Sequence, residues 1–356
     1  MTVPAHTTRR RPAPRAIAIW LFAVAAMVFA MVVIGGVTRL TESGLSIVEW
    51  KPIAGALPPL SDAAWQVEFE NYKQFPEYQK INRGMSLAEF KRIFFWEWLH
   101  RLWGRLIGLV FFLPFVWFLA MRRVPPGLGP TLWGLLVLGG MQGVLGWFMV
   151  KSGLVDRPSV SQYRLTAHLG LAVLIYAALL WVGWGQWQAG GQGRPDAGIG
   201  ARLHGAAQAL VPWVFLVILS GGFVAGLDAG LAYNTFPLMD GRWIPAGAWS
   251  LDPGWLNLFE NTITVQFQHR VLAVLTVLGV ALLWWRAHGV ALPRWLATRM
   301  HLLLAAVLLQ ATLGILTLVL VVPIPLAAAH QTGAMLLFTA ALYLLHGVRW
   351  SRPRPH

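Results

Sequence analysis

The sequence predicts an all-α integral membrane protein whose eight transmembrane helices form two duplicated four-helix bundles. Three observations carry this expectation. Of 356 residues, 57% are hydrophobic and only 12% charged, where a soluble chain carries about a quarter charged residues. The apolar residues come in blocks such as Ala16–Val37 and Leu302–Val322, each about 20 residues long and so able to cross roughly 30 Å of hydrocarbon as a helix. The chain also repeats itself, as set out below.

Backbone groups in lipid must be bonded internally, so the blocks read as helices rather than strands. They fall near 16–37, 98–120, 131–150, 166–187, 205–224, 269–285, 300–322 and 327–346. The first block follows Arg9-Arg10-Arg11 and resembles a secretory signal. It is too long for a signal core, so it reads as a retained helix. Basic residues mark the loops on one side: Arg15 before the first helix, Arg122 and Arg123 after the second, and Arg194 and Arg202 after the fourth. Arg286, Arg294 and Arg299 follow the sixth, and Arg349, Arg352 and Arg354 close the chain. The expected placement is the cell inner membrane with both termini cytoplasmic. The net charge of +14 is thereby assigned to topology, not to nucleic acid.

The two long segments on the other side, 38–97 and 225–268, are rich in Pro, Gly and Trp. They are expected to fold as caps, since Trp50, Trp65, Trp96, Trp243 and Trp255 call for packing partners. Gly35-Gly36 and Glu42-x-Gly44 recur 186 residues on as Gly221-Gly222 and Asp228-x-Gly230. His100-Arg101 recurs as His269-Arg270, Gln142-x-x-x-Gly146 as Gln310-x-x-x-Gly314, and Ala167-His168 as Ala329-His330. This divides the chain into an N-terminal half, 1–190, and a C-terminal half, 200–356. Four helices per half make the repeats parallel.

His100, His168, His269 and His330 begin the even-numbered helices in this reading and so share one depth. Within a half, two such imidazoles on parallel helices supply what a six-coordinate haem iron requires. The chain has no cysteine, which removes thiolate ligands, iron–sulfur clusters and covalent haem attachment. Gly104, Gly108 and Gly170 are candidates for making room beside a porphyrin. A lone histidine at a helix end is usually an interfacial side chain. Four that recur as pairs read as ligands, because ionisable groups inside membrane segments are costly. Arg101 and Arg270, next to their histidines, either hold haem propionates or snorkel to headgroups. Glu97, three residues before His100, is either an acid–base group beside a haem or a helix-start carboxylate favoured by the dipole. Its repeat partner is Gln266, an amide that cannot take a proton, which points to chemistry in the N-terminal half alone.

Several stretches go further: Gly35-Gly-Val-Thr-Arg-Leu-Thr-Glu-Ser-Gly-Leu-Ser46, Phe75-Pro-Glu77, Phe90-Lys-Arg-Ile-Phe-Phe-Trp-Glu-Trp-Leu-His-Arg101, Tyr233-Asn-Thr-Phe-Pro-Leu-Met239 and Gln266-Phe-Gln-His-Arg270. On these the chain resembles the heme A synthase family, of the cysteine-free alphaproteobacterial and mitochondrial type. The resemblance implies oxidation of the C8 methyl of haem O to a formyl group, giving haem A for terminal oxidases. It implies that His100 and His168 hold the substrate haem O, that His269 and His330 hold a haem b, and that Glu97 is the functional glutamate. It further implies haem O supply by a haem O synthase, an electron acceptor and a possible homo-oligomer. Two rival readings are a plain dihaem electron carrier, which leaves the Glu97/Gln266 difference unexplained, and a transporter built on the duplicated halves. Haem extraction separates the three: haem b with haem O or haem A, haem b alone, or no haem.

Overall fold

The computed structural model describes residues 12–49, 51, 54–154, 159–189, 200–289 and 292–350. Arg9, Arg10, Arg11, Trp50, Arg194, Arg352 and Arg354 lie outside them. Among the described residues there are ten α-helices: α1 Pro14–Leu40, α2 Asp62–Lys73, α3 Pro76–Lys80, α4 Leu87–Ala120, α5 Gly129–Gly153, α6 Gln162–Ala189, α7 Gly200–Gly226, α8 Thr262–His288, α9 Arg294–Val319 and α10 Ile324–Trp350. Eight are long and apolar enough to cross a membrane, all except α2 and α3. Large apolar side chains such as Leu109, Leu113, Val137 and Leu278 are exposed on their outer faces, as lipid contact allows.

The helices pack as two closed rings. In the first, α1 touches α4, α4 touches α5, α5 touches α6 and α6 returns to α1. In the second, α7, α8, α9 and α10 follow the same cycle. The rings join through their first and last helices: α6 with α7, α1 with α10, and α6 with α10. Each contact in one half has its counterpart in the other, the pattern that a duplication gives. The turn that ends the first helix of each half also matches. Glu42 and Asp228, 186 residues apart, both adopt the left-handed conformation, with φ of 52° and 50°. The hydrophobic core runs through the joint, with Ile17, Leu21, Val173, Leu179, Ala207, Val214, Phe338 and Ala341 buried together.

Two helices start earlier than the apolar runs suggest. The Ser86 side chain accepts a hydrogen bond from Glu89 N and the Glu89 carboxylate accepts one from Ser86 N, a capping box that opens α4 well before residue 98. Phe90 and Phe94 of this extension pack with Phe69 and Tyr72 inside the first cap. Asn261 caps α8 through Ile263 and Thr264. The four histidines therefore do not begin their helices. His168, His269 and His330 lie two turns in and His100 nearly four. Hydropathy locates where lipid begins, whereas a cap locates where the helix begins.

The first cap contains α2 and α3 and an aromatic cluster in which Trp65 meets Phe94 edge to face. The second is held differently. Trp243 and Trp255 are exposed, contrary to the expectation that they are packed. Its interior is an asparagine network instead: Asn261 Nδ2 donates to Asn257 Oδ1 and Gly247 O, and Asn257 Nδ2 donates to Leu251 O and Gly254 O.

Candidate functional site

Each half builds its site from the same parts. Arg101 Nη2 donates to Ile47 O at 2.8 Å and Nη1 to Glu49 O at 3.3 Å. Arg270 Nη2 donates to Tyr233 O and Nη1 to Thr235 O, both at 2.7 Å. Ile47 and Tyr233 are 186 residues apart, as are Glu49 and Thr235. The planar guanidinium fits two carbonyls two residues apart, and lysine could not. Each arginine thus pins a cap segment beside its histidine.

The residue three positions before each histidine touches the same cap segment with reversed polarity. Glu97 is 3% exposed. It accepts from Ser46 Oγ at 2.8 Å, from Ile47 N at 2.7 Å and from Arg101 Nη2 at 2.7 Å. All three partners are donors, which suits a carboxylate. Gln266 donates through Nε2 to Tyr233 O at 3.0 Å, while its buried Oε1 has no hydrogen-bond partner. Glu97 also sits ten residues inside α4, so the helix dipole does not explain it.

The imidazoles are seated by glycines of neighbouring helices. A Cβ on Gly35 of α1 would come within 2.8 Å of His100 Cε1, and one on Gly146 of α5 within 2.9 Å of His168 Cε1. In the second half, Gly221 of α7 and Gly314 of α9 face His269 and His330 at 3.3 Å and 2.7 Å. All four positions belong to the internal repeat. Of the glycines chosen from sequence, only Gly108 faces open space. Gly104 faces Met31 and Gly170 packs on Leu219. The space beside each ring is cut from the adjacent helix, not from the histidine's own.

The rings of His269 and His330 face each other with centroids 6.5 Å apart and planes perpendicular. An axial nitrogen–metal bond is about 2 Å and a ring nitrogen lies about 1 Å from the centroid, so two imidazoles on one iron stand roughly 6 Å apart. Ser220 sharpens the assignment. Its Oγ lies 2.8 Å from Val217 O and 2.7 Å from His269 Nδ1. With the hydroxyl proton directed to Val217 O, the His269 tautomer protonated on Nδ1 fits this contact, and that tautomer offers the Nε2 lone pair as a ligand histidine should. His168 lies within electrostatic range of His100, and Gln142 Nε2 bonds His168 O at 3.0 Å. Nδ1 of both first-half histidines is buried without a hydrogen-bond partner. Among the described residues no group of three or more His, Cys, Asp or Glu could hold a bare metal ion. A haem iron needs only two axial ligands from protein, so the donor set fits haem.

The expected residues Glu97, His100 and Arg101 are thus together under the first cap, and His269, His330 and Arg270 under the second. The seating glycines and Ser220 are site residues that the histidine pattern alone does not mark. The repeat marked Gly35, Gly146, Gly221 and Gly314, but Ser220 aligns with Ile34 and carries no repeat signal.

Comparison with known proteins gives a consistent picture. The model of the COX15-CtaA family, cytochrome oxidase assembly protein, matches residues 18–342. A heme A synthase of Nitrosospira multiformis is 53% identical over 348 residues, covering 98% of each chain. One of Rhodospirillum centenum is 56% identical over 344 residues, 96% of this chain and 90% of that one. One of Parvibaculum lavamentivorans is 55% identical over 334 residues, 93% and 94% of the two chains.

Proposed function

The chain belongs to the COX15-CtaA family of cytochrome oxidase assembly proteins, and from that premise we propose that it works as a heme A synthase, a multi-pass membrane oxidoreductase converting haem O to haem A. Relatives of that name align over nearly the whole chain at 50–56% identity. The oxidised position is the C8 methyl, which becomes a formyl group, and the product serves terminal oxidases.

The N-terminal half, 1–190, is the reacting half. His100 and His168 hold the substrate haem O between α4 and α6. The C-terminal half, 200–356, keeps a haem b on His269 and His330. Bound haem supplies a redox-active iron, and the protein supplies orientation and proton handling. The observation that carries this division is the polarity reversal under two matching arginine clamps. A buried carboxylate, Glu97, stands beside one histidine pair and an amide, Gln266, beside the other. Glu97 accepts a proton from the reacting edge of the substrate or orients water there. Arg101 and Arg270 hold the caps over the two sites, and a propionate would take N–H groups left over, such as the buried Nε of Arg270, which has no partner. The enzyme sits in the inner membrane with both termini in the cytoplasm, receives haem O from a haem O synthase and passes electrons to an acceptor.

The test is the identity of the extracted haems in membranes grown with and without a haem O supply. Haem b together with haem O or haem A is expected, with haem A appearing only when haem O is supplied. Haem b alone under both conditions would reduce the protein to an electron carrier.

A further inference from the structure

Between α6 and α7, where the two halves join, lies an apolar cleft of about 410 Å³. Two facing stripes line it. Tyr163, Thr166 and Leu174 follow one side of α6, and Phe215, Leu219 and Phe223 follow one side of α7, as helical spacing allows. Tyr163 and Leu174 are exposed, at 40% and 50%, on a helix long and apolar enough to cross the membrane. The cleft therefore opens toward lipid. A mostly apolar concavity of this size with one polar group suits a small ligand.

The polar group is Thr166, which is 5% exposed and whose Oγ1 is buried with no hydrogen-bond partner. Other helical threonines, Thr38, Thr276 and Thr339 among them, donate to the carbonyl four residues back. Thr166 does not, and a buried hydroxyl without a bond is unfavourable until a ligand accepts from it. The internal repeat supplies a comparison. Gly222 of α7 stands beside Thr166, where a Cβ would come within 2.9 Å of Oγ1. Its repeat partner is Gly36 of α1, and there Gln331 of α10 reaches across to donate to Val32 O at 2.6 Å. The position matching Thr166 is Ala328, which has no hydroxyl.

Three apolar occupants can be weighed. A saturated lipid chain leaves the hydroxyl unbonded. The hydroxyl of haem O sits at the foot of its isoprenoid chain, next to the porphyrin, and so lies on the wrong side of α6. Residues two apart on a helix are about 200° apart, and His168 faces Gly146 of α5 while Thr166 faces Gly222 of α7. A quinone meets every condition. Its flat ring packs against Phe215 and Phe223, a carbonyl accepts from Thr166, and its tail leaves past Leu174 into lipid.

We propose that the α6/α7 cleft binds a membrane quinone and that this quinone is the electron acceptor in the oxidation of haem O. The inference rests on the haem O to haem A reading above. The cleft adjoins both sites: Thr166 is two residues from His168, and Leu219 precedes Ser220 and Gly221, which contact His269. With water as oxygen donor, conversion of the methyl to the alcohol breaks a C–H and an O–H bond, forms a C–O bond and releases two electrons and two protons. A second such step gives the diol, which loses water to leave the formyl. Each electron pair, with two protons, turns one quinone into its quinol, so one formyl consumes two quinones. Tyr163 Oη donates to Glu260 Oε1 at 2.9 Å, and Glu260 is exposed. This pair links the mouth of the cleft to outside water, the source of the protons.

The experiment measures equilibrium binding of decyl-ubiquinone and of a short-tailed menaquinone to the purified haem-loaded protein. It is paired with anaerobic reoxidation of the reduced haem by the same quinones. Wild type should bind one quinone per chain. Thr166→Val keeps the shape and should bind about tenfold more weakly, the loss of one buried hydrogen bond. Thr166→Ser restores the donor and should bind within about threefold of wild type, and Leu174→Trp should close the mouth. Haem content should be the same in all four, and reoxidation should slow in the order of lost binding. No saturable binding by wild type, undiminished binding in Thr166→Val, or displacement of quinone by equimolar saturated phosphatidylcholine would overturn the site. Reoxidation unchanged in Thr166→Val and Leu174→Trp despite weaker binding would overturn the role as acceptor. Haem A formed with no quinone bound would remove this inference alone. Haem b as the sole extracted haem, with quinone binding intact, would remove the haem O reading and with it the acceptor role.

Discussion

At residue 97 a carboxylate accepts three hydrogen bonds where, at residue 266, an amide donates one to the equivalent cap segment. Glu97→Gln therefore copies the second half's chemistry into the first. We expect haem content to stay near wild type and haem A yield to fall by about 10²–10⁴, the usual worth of acid–base help. Gln266→Ala should leave yield within a few-fold. Haem A per bound haem in membranes measures both, and a larger loss from Gln266→Ala would move catalysis to the wrong half. The seating glycines give a graded series. Gly314→Ala and Gly35→Ala would bring a Cβ within 2.7 Å and 2.8 Å of a ring carbon, whereas Gly221→Ala stops at 3.3 Å. Overpacking costs about 1–3 kcal/mol, so the first two should each lose the haem of their own pair and Gly221→Ala should keep most of its own. Extracted haem per chain reads the order. Glu97 was legible in the sequence because the repeat supplies its own control, the glutamine at the matching place. Ser220 was not, because its contact with His269 Nδ1 is made only in three dimensions and has no counterpart in the repeat.

The cap clamps act at the scale of elements. Arg101 ties α4 to residues 47 and 49, and Arg270 ties α8 to residues 233 and 235. Lysine would keep the charge but reach one carbonyl rather than two. Arg270→Lys should loosen only its cap, whereas Arg101→Lys should also release Glu97 and so depress haem A yield. Hydrogen exchange over residues 44–49 and 230–235, measured alongside yield, separates the two effects. Equal loss of yield in both variants would assign the arginines to haem binding rather than to the caps. Helix starts were only partly readable. Ser86-x-x-Glu89 is a capping box visible in the sequence, yet the onset of the apolar run at 98 masked it, since the first turns of α4 pack into the cap through Phe90 and Phe94. The second cap misled for the opposite reason. Its indoles drew attention, while buried Asn257 and Asn261 do the holding.

Over the whole molecule, the two four-helix rings meet chiefly through their first and last helices. The joint is lined by apolar side chains, with a hydrogen bond between Tyr176 and Thr339 at 2.8 Å and an ion pair between Arg39 and Asp228 at 2.6 Å on the cap face. Each histidine pair stays within one ring: His269 and His330 with their glycines on α7 to α10, and His100 and His168 with theirs on α1 and α4 to α6. Sites that share no partner respond independently to mutation. We therefore expect two haems per chain in the presence of substrate, and separable losses. His269→Ala or His330→Ala should remove haem b and leave the first pair able to bind haem O. His100→Ala or His168→Ala should remove haem O and leave haem b. Removing haem b should still stop turnover if electrons leave the reacting half through it, so haem O would accumulate on the first pair in His269→Ala. Haem identity and stoichiometry in each purified variant decide this. Loss of both haems from a single substitution, in protein that remains folded by circular dichroism, would mean that one site spans the joint and that the chain is one unit rather than two halves.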